Sequence, residues 1–248
     1  MCNGPAWERW GAHLRYFREC GVCQVTMAGK LFKHEILYGG SLIWRHLPDW
    51  TCIRTFAPML FGRRRDARDD QLLGAVVDVY HQHRFDIRAA TDLAPDLLVK
   101  SSQFQPRFSS DSVSHDAAVG WRVAKQMGAM DIGQSITVKD GVVLAVEAIE
   151  GTDACIDRTG ELCRRGGWTL VKVSKPNQDM RFDVPTIGIQ TIERVARAGG
   201  RAIVIEDGKT IVVQRDEVVR LARKLNVELV VLSDADVQSL DLPSANAA

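Results

Sequence analysis

Apolar residues recur at helical spacing in the opening segment WERWGAHLRYFRECG, where Trp10, Leu14 and Phe17 share a face and Gly21 offers a C-cap. VCQVTMAG follows and reads as a buried strand. A second amphipathic helix is predicted in DDQLLGAVVDVYHQH, with Asp69 or Asp70 as its cap and Leu72, Leu73, Val76, Val77 and Tyr80 as the apolar stripe. The intervening stretch SLIWRHLPDWTCIRTFAPMLFGRRR has no clean period. The polar run SSQFQPRFSSDSVS then reads as a linker. It places a first domain at 1–105, a linker at 106–113, a second domain at 114–241 and a frayed tail at 242–248.

In the second half, helical and strand patterns alternate. A helix across 114–127 leads to a hairpin in SITVKDGVVLAVEAIE, a helix in GTDACIDRTGELCRRGG and the strand WTLVKVS. Beyond the irregular segment KPNQDMRFDVPTIG come a helix in IQTIERVARAGG, a strand pair around IVIEDGKTIVV, a helix in DEVVRLARKL and the strand VELVVLS. Repeated helix-to-strand alternation of this kind defines a mixed α/β fold.

Composition narrows the function classes. With 248 residues, 46% hydrophobic and 25% charged, the chain is an ordinary globular protein rather than a disordered one. A net charge of +1 gives no footprint for nucleic acid, and the basic run Arg63-Arg64-Arg65 is answered by Asp66, Asp69 and Asp70, leaving at most a local phosphate or lipid-headgroup contact. No window approaches the roughly 18 apolar residues of a membrane span, and MCNGPAWERW lacks a signal-peptide core, so a cytoplasmic protein is expected. The 6 cysteines include one C-x-x-C, Cys20 to Cys23, without a second pair at zinc-ligand spacing; reduced thiols are expected.

Two segments carry candidate chemistry. In AVEAIEGTDACI a strand ends and a helix begins through Glu147, Glu150, Gly151, Thr152 and Asp153, with Gly151 at the turn and Thr152 as a cap. A helix amino end favours an anion such as phosphate. A capped helix with no further role is the plainer reading, as a solvated surface loop is for KPNQDMRFDVPTIG. Together, however, Lys172, Lys175, Asp179, Arg181 and Asp183 bring both signs of charge to a strand end, where ligands of open α/β sheets bind. Ionised carboxylates gathered there repel unless a cation intervenes, and oxygen ligands favour Mg2+ or Mn2+. His81 and His83 do not share a helical face, and no Walker, G-x-G-x-x-G or G-x-S-x-G pattern occurs.

The strings VLAVEAIEGTDACI, VKVSKPNQDMRFDVPTIG and AGGRAIVIEDGKTIVV resemble the UDP-2,3-diacylglucosamine pyrophosphatases of lipid A synthesis, the type distinct from the calcineurin-like enzyme. MDIGQ at 130–134, DDQLL at 69–73 and MAGK at 27–30 extend the match. The resemblance implies a Rossmann-like N-terminal domain, here beginning after its first strand and glycine-rich turn, and a second mixed α/β domain, with a glycolipid nucleotide bound in the cleft between them. It implies hydrolysis to 2,3-diacylglucosamine 1-phosphate and UMP with a divalent metal, water attacking the β-phosphorus.

The family's catalytic aspartate falls on Asp183, with Glu147, Glu150, Asp153 and Asp179 as further metal candidates. Substrate contacts are expected from Lys172, Lys175, Gln178, Arg181, Thr186, Gly151, Thr152, Asp69, Asp70, Gly29 and Gln134. For the acyl chains, Trp44, Trp50, Phe56, Met59 and Phe61 would line a greasy mouth, with Arg45, Arg54 and Arg63 facing headgroups of the inner membrane in a peripheral contact. A homodimer is left open. So are a binding protein that lost catalysis and a general metal-dependent phosphodiesterase.

Overall fold

A computed structural model describes residues 10–27, 50, 51, 54, 55, 69–104 and 108–240. The chain forms two compact units, one made of Met1–Ala94 with Asp179–Asp183, the other of Pro95–Gln178 with Val184–Ala248. The division between the two units falls at Ala94/Pro95. The reason is local: the Val99 N–H donates to the Thr210 carbonyl at 2.9 Å and Leu98 bridges Ile211, which ties this stretch to the second unit.

In the N-terminal unit, α1 (Trp10–Glu19) buries Leu14 and ends as its glycine signal indicates. Gly21 adopts φ +68, and the Val22 N–H donates back to the Phe17 carbonyl at 2.9 Å. The strand β1 (Gln24–Thr26) pairs in parallel with β2 (Asp86–Arg88), and α2 (Asp69–Gln82) forms part of the crossover that a parallel pair requires. β1 is not buried as expected: Gln24 and Thr26 are exposed, because only Val25 turns toward the apolar side. Val76 and Val79 of α2 cluster with Leu14 and Phe85. Val77, on another face, clusters with Ile87 and with Phe182 from the distant 179–183 segment.

The C-terminal unit is built on a five-stranded sheet of order β4-β3-β5-β7-β9, comprising β3 (Ser135–Lys139), β4 (Val142–Val146), β5 (Trp168–Lys172), β7 (Gly200–Glu206) and β9 (Glu228–Leu232). β5, β7 and β9 run parallel, and β3 is antiparallel to both of its neighbours. Period-two alternation sends Leu170, Ile203, Ile205 and Val231 into one core and Val171, Val204, Val230 and Leu232 into another. With both faces covered, the parallel strands read as continuous apolar runs.

Helix α3 (Asp111–Ala129) starts earlier than the expected 114, because Ser110 caps it by accepting from the Val113 N–H at 3.4 Å. The remaining helices are α4 (Gly151–Leu162), α5 (Ile189–Arg197), α6 (Arg215–Lys224) and α7 (Asp234–Gln238). The last has a Ser233/Asp236 capping box and was not anticipated. The expected strand pair around IVIEDGKTIVV also differs. β7 joins the main sheet, whereas β8 (Ile211–Val212) pairs in parallel with β6 (Thr186–Ile187). Among the described residues, no helix is long and apolar enough to cross a membrane.

Candidate active site

The carboxyl ends of β5 and β7 gather Lys172, Lys175 and Glu206, all buried. Lys172 closes β5 opposite Ser135, the first residue of antiparallel β3. Its ammonium donates to Thr152 Oγ1 at 2.7 Å and Ser135 Oγ at 3.1 Å, and stands 4.0 Å from Glu147 Oε2. Thr152 in turn donates to Glu147 Oε1 at 2.8 Å, so its hydroxyl serves this network rather than capping α4 as expected. Gly151 carries the chain into the helix at φ +83. Burial pushes the Glu147 carboxyl up, but the Lys172 charge and the hydrogen bonds around it outweigh that cost and hold it below its ordinary range. Glu147 Oε2 and Gln134 Oε1 are buried without a hydrogen-bond partner.

Close packing holds Glu147 from behind. Any Cβ at Gly133 would collide with the Glu147 carbonyl oxygen, a backbone atom that cannot swing aside. Gly133→Ala is therefore expected to destabilise the protein by about 1–3 kcal/mol, seen as a melting temperature lower by roughly 2–12 °C in a circular dichroism melt. An unshifted melt would contradict this packing.

Other sequence-derived candidates have partners of their own. Glu150 pairs with Arg158 at 2.9 Å, and Asp153 lies 3.8 Å from Arg194, which also binds Asp157. Lys175 contacts Asp131 at 2.5 Å, and Gln178 Oε1 accepts from the Lys175 N–H at 3.3 Å. Thr186 donates its hydroxyl to the Val184 carbonyl at 2.8 Å.

Asp179, Arg181 and Asp183 belong to the N-terminal unit. Arg181 grips Asp179 as a fork, Nε to Oδ1 at 2.9 Å and Nη2 to Oδ2 at 2.6 Å. Those bonds hold the Asp179 carboxyl below its usual range and raise Arg181. Asp183 is exposed and adopts a left-handed φ of 38. Gly29, the side chains of Asp69 and Asp70, and Trp44, Arg45, Phe56, Met59, Phe61 and Arg63 lie outside the described residues. Within each unit, no three His, Cys, Asp or Glu side chains among the described residues converge as a metal cage.

Sequence reasoning missed the most buried acid of the site. Glu206, 2% exposed at the end of β7, accepts from Lys125 Nζ at 2.6 Å, Lys209 Nζ at 2.8 Å and the Ser174 N–H at 2.7 Å. Lys125 also reaches the Ser174 carbonyl at 3.2 Å and lies over the Trp121 ring. The hydrogen bond from Lys209 to Glu206 outweighs the cost of burying its ammonium and raises it above the ordinary lysine range. A signal was present: a carboxylate terminates the apolar run AIVIE, the place where ligands of parallel sheets bind.

Residues 5–97 match the family model of the LpxI N-terminal domain, and residues 100–230 match that of the LpxI C-terminal domain. The chain is 34% identical over 188 residues to a protein of Caulobacter vibrioides named UDP-2,3-diacylglucosamine pyrophosphatase LpxI. That alignment covers 73% of this chain and 66% of the relative, so the chain spans just under two thirds of the relative's length. The two models meet close to the Ala94/Pro95 division of the structure and follow one another in the family's own order, and on these grounds the chain belongs to the LpxI family.

Proposed function

We propose that the chain hydrolyses the pyrophosphate bond of UDP-2,3-diacylglucosamine to 2,3-diacylglucosamine 1-phosphate and UMP. The identity to the Caulobacter relative named for that substrate carries the reading. Its geometric support is the set of lysines at the carboxyl edge of the parallel strands, chemistry suited to a pyrophosphate. In the reaction the water oxygen bonds to the β-phosphorus, the bond from that phosphorus to the bridging oxygen breaks, and UMP leaves with the electron pair. Asp183 accepts the proton of the attacking water. Lys172 and Lys175 offset charge developing on the leaving phosphate.

Mg2+ or Mn2+ is the proposed cofactor. Such ions keep several waters and are held by one or two carboxylates plus substrate phosphates, so a complete protein cage is not required. Asp183 of the N-terminal unit would supply a hard oxygen. Glu150, Asp153 and Asp179 are engaged by Arg158, Arg194 and Arg181 and fit the role less well. When bound, the ion polarises the pyrophosphate oxygens.

The acyl chains of this substrate place the reaction at the cytosolic face of the inner membrane, as a peripheral contact. Trp50, 76% exposed, and the exposed Arg54 suit that surface. The deciding experiment incubates the purified chain with UDP-2,3-diacylglucosamine and Mg2+ or Mn2+ and follows both products by mass. Equimolar 2,3-diacylglucosamine 1-phosphate and UMP are expected, with loss of both on adding EDTA. Tight binding without UMP release would refute hydrolysis, and equal turnover of a water-soluble UDP-sugar would refute the lipid specificity.

A further inference from the structure

We propose that Phe182 is the positioning residue for Asp183, seating the turn that carries this carboxylate on the N-terminal unit. The inference rests on the catalytic reading of Asp183. Its starting point is a mismatch between sequence and packing. Asp179–Asp183 clusters with the N-terminal unit, although the chain immediately before and after it belongs to the C-terminal unit. Part of that placement is polar, since the Asp86 charge of β2 acts on Arg181. Asp179 and Arg181 satisfy each other in a local fork, and the Phe182 N–H closes the turn onto the Asp179 carbonyl at 3.0 Å.

The apolar attachment of the turn is its ring. Phe182 is 6% exposed and clusters with Val77 of α2 and Ile87 of β2, with Val25 and Tyr80 packed around them. The Arg181 guanidinium lies over the ring, 5.4 Å from its centroid. Asp183 comes directly after this anchor in a left-handed conformation that non-glycine residues rarely adopt. The anchored ring and the Asp179–Arg181 fork hold the backbone that leads into Asp183, so the direction of its carboxylate depends on a side chain buried in the N-terminal unit.

The test compares Phe182→Ala, Phe182→Leu and Val77→Ala in the full chain with UDP-2,3-diacylglucosamine. Misplacement of a reacting group by about 1 Å costs on the order of 10²-fold, and Phe182→Ala is expected to lose kcat on that scale with KM nearly unchanged. Phe182→Leu keeps an apolar anchor and restores most of the loss. Trypsin adds a readout independent of activity, since freeing the anchor exposes the bond after Arg181 to faster cleavage. Wild-type kcat in Phe182→Ala overturns the proposal. If that variant does not fold, Val77→Ala decides: it loosens the seat from the opposite side, and wild-type kcat together with wild-type trypsin resistance overturns the proposal equally. Full activity of Asp183→Asn in the same assay would instead refute the catalytic reading, while the trypsin comparison would still judge the anchor.

Discussion

Asp183→Asn is expected to lower UMP release by about 10²-fold or more while leaving the melting temperature unchanged. Asparagine is the informative replacement because Asp183 sits at φ 38, and asparagine, like aspartate, tolerates the left-handed region where alanine would add strain. The substitution therefore removes charge and basicity with little change in backbone preference. What is lost is the acceptor for the proton of the attacking water and a hard oxygen for Mg2+ or Mn2+, both of which act at the point where charge moves in the transition state. Steady-state kinetics with mass detection of UMP, paired with a thermal melt, checks the expectation. Near-normal turnover in a folded Asp183→Asn protein would remove Asp183 from the mechanism.

The largest loss of stability is expected from Glu206→Ala, about 3–5 kcal/mol, the range typical of breaking a buried ion pair from one side. Glu206 is almost wholly buried and holds three donors: two ammonium groups and the Ser174 N–H. Its removal leaves Lys125, whose side chain is 19% exposed, as a poorly solvated cation and leaves a backbone N–H with no acceptor. A melting temperature lower by roughly 6–20 °C follows from that loss. Glu206→Gln should fall between the two proteins, since an amide oxygen can still accept from Ser174 but offers no charge to Lys125 or Lys209. A melt of Glu206→Ala that overlays the wild type would show that the network contributes nothing to folding.

Many elements of this protein were legible where a short-range periodicity marks them. Leu14 and Phe17, then Val76, Val77 and Tyr80, mark helical faces at a spacing of three to four residues, and Gly21 marks a stop through its backbone freedom alone. The alternating helix and strand patterns of the second half announced a mixed α/β fold. Less legible were pairings. The run IVIEDGKTIVV reads as a strand pair, yet β8 pairs with β6, whose residues lie on the far side of α5 and β7 in the chain.

Local order, the two-domain α/β character and the family strings were thus determined by the sequence itself, since propensity, capping and alternation act over a few residues. Only the tertiary structure decided which charges meet. Lys125 and Glu206 stand 81 positions apart and come together because a helix packed on a parallel sheet delivers distant residues to the strand ends. It alone also assigned Asp179–Asp183 to the N-terminal unit, since the partners of one buried ring, Val77 and Ile87, are set by three-dimensional packing and leave no trace in the residues beside Phe182.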